Sequence, residues 1–192
     1  MNTISINPKA KALIFDLDGT LVDSMPCHFQ SWREVFFSLT GIDYPITLFN
    51  ELAGIPTDKI VPIINKRLNT KIDPSQFDHL KKELFKNMIN QIEVVNPVAN
   101  LVYENFGKLP MAVGTGGRTE IVDLTLKATN LKQYFDIIIT ADDVKNYKPH
   151  PETFLLCAKK MQVKPEHCQV FEDSYLGMEA AKKANMIATF VG

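Results

Sequence analysis

Five short stretches of the chain are apolar at nearly every position rather than at alternate ones: Ala10 to Phe15, Met111 to Gly114, Phe135 to Thr140, Gln169 to Phe171 and Ile187 to Val191. A strand covered on both faces reads this way, because helices packed on either side of a parallel sheet leave no face for water. Between the later stretches the apolar residues change to helical spacing, as in Ile121, Leu124 and Ala128, then Phe154, Ala158 and Met161, then Met178 and Ala181. Strand and helix in alternation predict an α/β core with a doubly wound, Rossmann-like parallel sheet. In such a sheet, ligands gather beyond the carboxyl ends of the strands.

The alternation stops between Ser24 and Val95, where helical patterns run without a convincing strand. Phe29, Trp32, Phe36 and Leu39 mark one helix, stopped by Gly41. Asp73 as N-cap and Pro74 at the first helical position start another, whose apolar face continues through Phe77, Leu80, Leu84, Met88 and Ile92. The expectation is an α/β core of residues 1–23 and 96–192 with an α-helical cap inserted over 24–95. The chain would cross near Asp23-Ser24 and near Val95-Asn96-Pro97, where a polar residue and proline break the helix. Phe36, Phe37 and the Phe/Met stripe read as packing, and Lys81-Lys82-Glu83 as a solvated helix face.

Length and charge narrow the picture further. The 192 residues suffice for one domain with an insertion or for two small domains. The 21 basic and 22 acidic side chains leave a formal charge of -1, so neither nucleic acid nor a membrane is the expected partner. Met1 to Lys11 has neither a long apolar stretch nor a basic start, and no apolar run approaches the roughly 18 residues of a membrane span. Cys27, Cys157 and Cys168 include no Cys-x-x-Cys pair and read as reduced thiols. A soluble, cytoplasmic monomer is expected.

Charge reappears where the apolar stretches end. Asp16-Leu17-Asp18-Gly19-Thr20 follows Ala12-Leu13-Ile14-Phe15 directly, so two carboxylates leave a buried strand for a glycine turn. Desolvating an ionised carboxylate is costly unless a cation compensates it, and a hard divalent ion such as Mg²⁺ is the simplest compensation. Thr115-Gly116-Gly117 follows the second strand, with a hydroxyl and exposed N–H groups for phosphate oxygens, aided by the N-terminus of the next helix. Lys148-Pro149 follows the third strand and Glu172-Asp173 the fourth. Plainer readings exist for each part alone: Asp18-Gly19 as a turn, Thr115 or Glu172-Asp173-Ser174 as helix caps.

In this order, Asp16-Leu17-Asp18-Gly19-Thr20, Thr115, Lys148 and Glu172-Asp173 resemble the four motifs of the haloacid dehalogenase superfamily over most of the chain. The helical insertion is similar to the cap of its β-phosphoglucomutase-like branch. Pro110 to Gly116, Phe154 to Ala158 and Val170 to Asp173 look closest to bacterial fructose-1-phosphatases. The resemblance implies a Mg²⁺-dependent phosphatase of a small phosphorylated sugar, fructose 1-phosphate or a similar hexose or sugar-acid phosphate. Asp16 would be the nucleophile that forms a phosphoaspartate, and Asp18 the general acid and then base. The metal would be held by Asp16, the main-chain carbonyl of Asp18, Asp173 and Glu172, directly or through water. Thr115, Gly116 and Lys148 would bind the phosphoryl group, and His28 would lie near the leaving oxygen.

Neighbouring activities are weighed against single residues. An acid at Asp18 disfavours a dehalogenase, since displacing a halide needs no proton donor. A mutase must hold a second phosphate. The branch's mutases carry lysine and arginine where this chain has Ala53 and Thr57, which leaves only Lys59 nearby and favours hydrolysis. A phosphoacceptor switch would also group acids, a hydroxyl and a lysine, but the helical insertion and Asp18 speak against a long-lived phosphoenzyme.

Overall fold

The strand β1 (Ala12–Phe15) is buried at every position and hydrogen-bonds on both sides, so it forms the centre of a sheet. A computed structural model describes residues 4–52 and 55–192. After β1 come β2 (Val22–Asp23), α1 (Met25–Thr40), α2 (Ile46–Glu51), α3 (Thr57–Leu68), α4 (Pro74–Met88) and β3 (Glu93–Val94). Then follow α5 (Asn96–Asn105), β4 (Met111–Gly114), α6 (Thr119–Ala128), β5 (Ile137–Ile139), α7 (Glu152–Met161), β6 (Cys168–Glu172), α8 (Tyr175–Lys183) and β7 (Ile187–Phe190). The main sheet is parallel, in the order β5-β4-β1-β6-β7, with Ile14 opposite Ala112 on one side and Val170 on the other. Strand order reverses beside β1, which places a crevice at its carboxyl end.

Alternate residues of β1 supply two separate cores, as a strand's period of two requires. Leu13 and Phe15 face α5 and α6 through Val98, Val102, Val122 and Leu126, with Phe15 stacked on Phe171 at 5.0 Å. Ala12 and Ile14 face α7 and α8 through Phe154, Cys157, Ala180 and Ala181. This is the doubly wound α/β core expected from the apolar runs. Its strands differ slightly from that reading: β1 and β5 start two residues later, and β6 runs on through Glu172.

Four helices, α1 to α4, lie between the two strands of a small ribbon, β2 and β3, before α5 leads the chain back to the sheet at β4. Trp32, Phe36, Tyr44, Phe49, Val61, Ile64 and Phe77 form a cluster of their own. Gly41, at φ +71°, ends α1, and Asp73 caps α4 by accepting the Gln76 N–H at 2.8 Å. Phe37, expected inside, is 58% exposed; one step round the helix from Phe36 carries it off the inner face. The buried face of α4 is Phe77, Lys81, Phe85 and Met88, and Leu80 and Leu84 are only partly buried. The helix ends at Met88, so Ile92 lies beyond it. Phe77 packs in the helical cluster, whereas Phe85 and Met88 join the sheet-side core.

At the crossing points, β2 and β3 pair antiparallel, Val22 with Val94 and Asp23 with Glu93, and the Val95 N–H donates to the Leu21 carbonyl at 2.9 Å. Pro97 does not end a helix there; it occupies the first turn of α5. The three cysteines are free and buried. Among the described residues, no helix is long and apolar enough to cross a membrane.

Candidate active site

The end of β1 hands the chain to a tight turn in which Gly19 takes φ +85°, and a Cβ there would overlap the Asp173 carboxylate. The turn thus brings the first acidic motif against the last. Oxygens of Asp16, Glu172 and Asp173 lie within 4.8 Å of one another. The Thr20 hydroxyl donates to Asp173 Oδ1 at 3.0 Å. Ser174, the N-cap of α8, donates its N–H and its hydroxyl to Glu172 Oε1 and accepts the Gly177 N–H, so it is a helix cap and a brace for the cluster at once. A Cβ at Gly177 would collide with the Glu172 carboxylate.

Among the described residues, one cation enters this cluster. Lys148, 4% exposed, donates to Asp16 Oδ1 at 2.6 Å and to Glu172 Oε2 at 2.8 Å, with its ammonium 4.6 Å from the Phe154 ring centre. Glu152 fixes the approach of the loop by accepting the N–H groups of Lys145 and Asn146 at 2.9 and 3.1 Å. Burial pushes the Lys148 ammonium down, but the two carboxylates outweigh it and hold it above its ordinary range. Burial, then the Glu172 charge, push Asp16 well above the usual carboxylate range in spite of Lys148. The same two causes raise Asp173 to about 6.

Three carboxylates against one ammonium leave uncompensated negative charge in a buried place, which is costly unless a further cation joins. The donors are all oxygen, the set that hard divalent ions prefer. The residues therefore fit Mg²⁺. Asp16, Glu172 and Asp173 supply side-chain donors; the carboxylate of Asp18 is not part of the group.

Asp18 points instead toward the helical insertion. Its Oδ1 accepts from the Ser24 hydroxyl and meets His28 Nε2 at 3.2 Å. His28 stacks on Phe85, ring centres 4.1 Å apart. Burial pushes Asp18 up, but His28, Ser24 and Lys81 together hold it below its ordinary value. Burial and then Lys81 lower His28, so at neutral pH the ring is an uncharged N–H donor to the carboxylate. Lys81, expected on a solvated face, is 8% exposed and lines the cavity, because it occupies the inner stripe of α4 between Phe77 and Phe85. Burial depresses its pKa from 10.5 to about 8.

The same cavity, about 1030 Å³ with its open mouth, is lined by Asp16, Asp18, His28, Lys81, Thr115 and Lys148, and also by Gly116, Asp173 and Arg118. Thr115 is buried, and its Oγ1 accepts the Gly117 N–H at 3.1 Å, which leaves the hydroxyl proton free to donate. The N-terminus of α6, expected to serve a phosphate, starts only at Thr119, and its first amide already donates to Asp142 at 2.9 Å. Arg33 pairs with exposed Asp43, and Lys59 pairs with Asp58. Thr57 lines the cavity, whereas Ala53 lies outside the described residues. The site residues named from sequence thus converge in one cavity. Ser24, Thr20, Lys81 and Arg118 were missed; only Lys81 carried a local signal, its spacing of four from both Phe77 and Phe85.

A doubly wound sheet with helices inserted after its first strand, and acids, hydroxyl and lysine beyond its strand ends, defines a class of enzymes. The model for the haloacid dehalogenase-like hydrolases matches residues 13–191, and the chain belongs to that family. It is 40% identical over 179 residues to fructose-1-phosphate phosphatase YqaB of Escherichia coli (strain K12), covering 93% of this chain and 95% of that one. It is 34% identical over 180 residues to a phosphorylated carbohydrates phosphatase of Thermotoga maritima, covering 92% and 82%. A crystal structure of β-phosphoglucomutase from Clostridium difficile superposes with a TM-score of 0.83 at 27% identity, over 95% of this chain and 85% of that one.

Proposed function

We propose that this chain is a Mg²⁺-dependent phosphatase of a small phosphorylated sugar, of the fructose 1-phosphate kind, acting through a phosphoaspartate at Asp16. The observation that carries the reading is the meeting of Asp16 with Glu172, Asp173 and Lys148 on one side of a cavity that Asp18, His28 and Lys81 enter as well. Asp16, Asp173, Glu172 and the Asp18 main-chain carbonyl would hold the ion, which supplies charge neutralisation between nucleophile and phosphate. Thr115, the Gly116 backbone and Lys148 receive the phosphoryl oxygens, in keeping with a transfer that depends mainly on positioning and electrostatics.

A carboxylate oxygen of Asp16 attacks phosphorus and the bond from phosphorus to the sugar oxygen breaks. Asp18, which gains a proton when the phosphate dianion arrives beside it, passes that proton to the departing oxygen. Water then attacks the phosphoaspartate, Asp18 takes the proton, and inorganic phosphate leaves Asp16 free. Residues 24–95 act as a cap over a core of 1–23 and 96–192 and keep bulk water from the intermediate.

A panel of phosphorylated metabolites, assayed for phosphate release with and without Mg²⁺, tests the reading. Hydrolysis confined to one or a few sugar phosphates, dependent on the ion and abolished by Asp16→Asn in a folded protein, is the expected result. Near-normal Mg²⁺-dependent turnover by Asp16→Asn would remove the mechanism. Likeness to a β-phosphoglucomutase structure supports a second reading, a sugar phosphate mutase. Against it, Thr57 offers no charge for a second phosphate and Lys59 is already paired with Asp58. A coupled assay for glucose 6-phosphate formed from β-glucose 1-phosphate, primed with a bisphosphate, separates the two.

A further inference from the structure

Arg118 lines the cavity that holds Asp16 and Lys148, yet its charge is already spoken for. One guanidinium nitrogen donates to Asp142 Oδ1 at 2.6 Å, within the sheet-bearing part of the chain. The other reaches across to the helical insertion and donates to Asp58 Oδ1, in the first turn of α3, at 2.7 Å. With Lys59 Nζ also 3.4 Å from Asp58 Oδ2, two cations and two carboxylates balance, and the guanidinium has no charge left over for a ligand. Lys82 is likewise paired, with Asp78 at 2.6 Å, and Lys148 belongs to the acidic cluster. Of the cations that line the cavity, Lys81 has no carboxylate partner among the described residues, and it acts on Asp18. A substrate whose non-reacting end carries hydroxyls can therefore enter without disturbing an ion pair. One with a second phosphate or carboxylate meets a guanidinium that Asp58 and Asp142 must first release.

We infer that Asp58 is a specificity-determining residue: by holding Arg118 in an ion pair at the wall of the cavity, it selects phosphomonoesters with an uncharged far end and discriminates against those with a second anionic group. This rests on the phosphatase reading. A second ion pair between the same two parts of the chain, Lys86 Nζ to Glu120 at 2.7 Å, lies outside the cavity and separates selectivity from simple closure.

The matched probes are fructose 1-phosphate and fructose 1,6-bisphosphate, which differ only by a phosphate at the far end. In Asp58→Ala, the ratio of kcat/KM for the monophosphate over the bisphosphate should fall about 10-fold, the worth of one charge-assisted hydrogen bond set free. The change should lie in KM for the bisphosphate. It should be reversed when Arg118→Ala is added, and Lys86→Ala should leave the ratio where it was. A ratio unmoved in Asp58→Ala, or moved equally by Lys86→Ala, overturns the inference. Hydrolysis of fructose 1-phosphate with an unmoved ratio defeats the selectivity alone. If the unaltered protein neither hydrolyses nor binds either sugar, both this inference and its parent reading are lost.

Discussion

Lys81 reaches the cavity from the middle of α4, flanked along the helix by Phe77 and Phe85, with its ammonium 5.6 Å from the Phe85 ring centre. Burial lowers its pKa from 10.5 to about 8. At about 1.36 kcal/mol per pH unit, keeping the charge in place below pH 8 costs the folded state about 3 kcal/mol. Methionine keeps most of the volume of the side chain and removes the charge. Lys81→Met should therefore stabilise the protein at pH 7 by about 3 kcal/mol, or roughly 6–12 °C in Tm for a chain of this size. The sign reverses nowhere, but the gain should shrink with pH. Between pH 8 and 10.5 the folded state has released the proton while the unfolded chain still holds it, so the unsubstituted protein gains stability over that window. By pH 9.5 the advantage of the variant should be down to about 1 kcal/mol. Urea unfolding at the two pH values measures both numbers. Activity should move the other way, with kcat/KM falling on the order of 10- to 100-fold as Asp18 and His28 lose the neighbouring charge. A variant no more stable than its parent at pH 7, or a gain undiminished at pH 9.5, would refute the reasoning.

Two further outcomes concern the acidic cluster. Burial and Glu172 raise the folded pKa of Asp173 from 3.8 to about 6, so its ionisation weakens the fold as pH climbs through that window and the deficit is fully present above pH 6. Mg²⁺ should then raise Tm more at pH 7.5 than at pH 5, where protons compete for the same oxygens, and equal shifts at the two values would contradict the assignment. Gly177→Ala drives a methyl group into the Glu172 carboxylate; it should cost about 1–3 kcal/mol and weaken the Mg²⁺-dependent rise in Tm, whereas unaltered Mg²⁺ affinity would show Glu172 to be dispensable.

Those parts of the fold that depend on short-range pattern were legible. The apolar run ending in Phe15 announces a strand with both faces covered, and its Ala12/Ile14 and Leu13/Phe15 faces fill the two cores. Acids directly after such a run, as at Asp16 and Glu172-Asp173, stand out because nothing local compensates them. The ribbon at Val22–Asp23 and Glu93–Val94 was hidden, since two residues per strand carry no period. Lys81 was misread because α4 divides its inner face between two clusters, so Leu80 and Leu84 suggested a competing stripe. Arg118 depends on Asp142 and Asp58, 24 and 60 positions away, and no spacing rule reaches that far.

The ribbon also ties chemistry to posture. Asp18 sits on the turn that leads into β2, whereas the groups that keep it charged, Ser24, His28 and Lys81, travel with the helices beyond the ribbon. Should those helices swing as a unit, Asp18 would shed its supports in the same movement that admits solvent. The enzyme would then be disarmed whenever it stands ajar, and an aspartyl phosphate exposed by a premature opening would outlast one still enclosed. Imidazole titration followed by NMR offers a direct gauge: an ajar form would return His28 toward its ordinary pKa, and a ring that titrates identically in both postures would break the link.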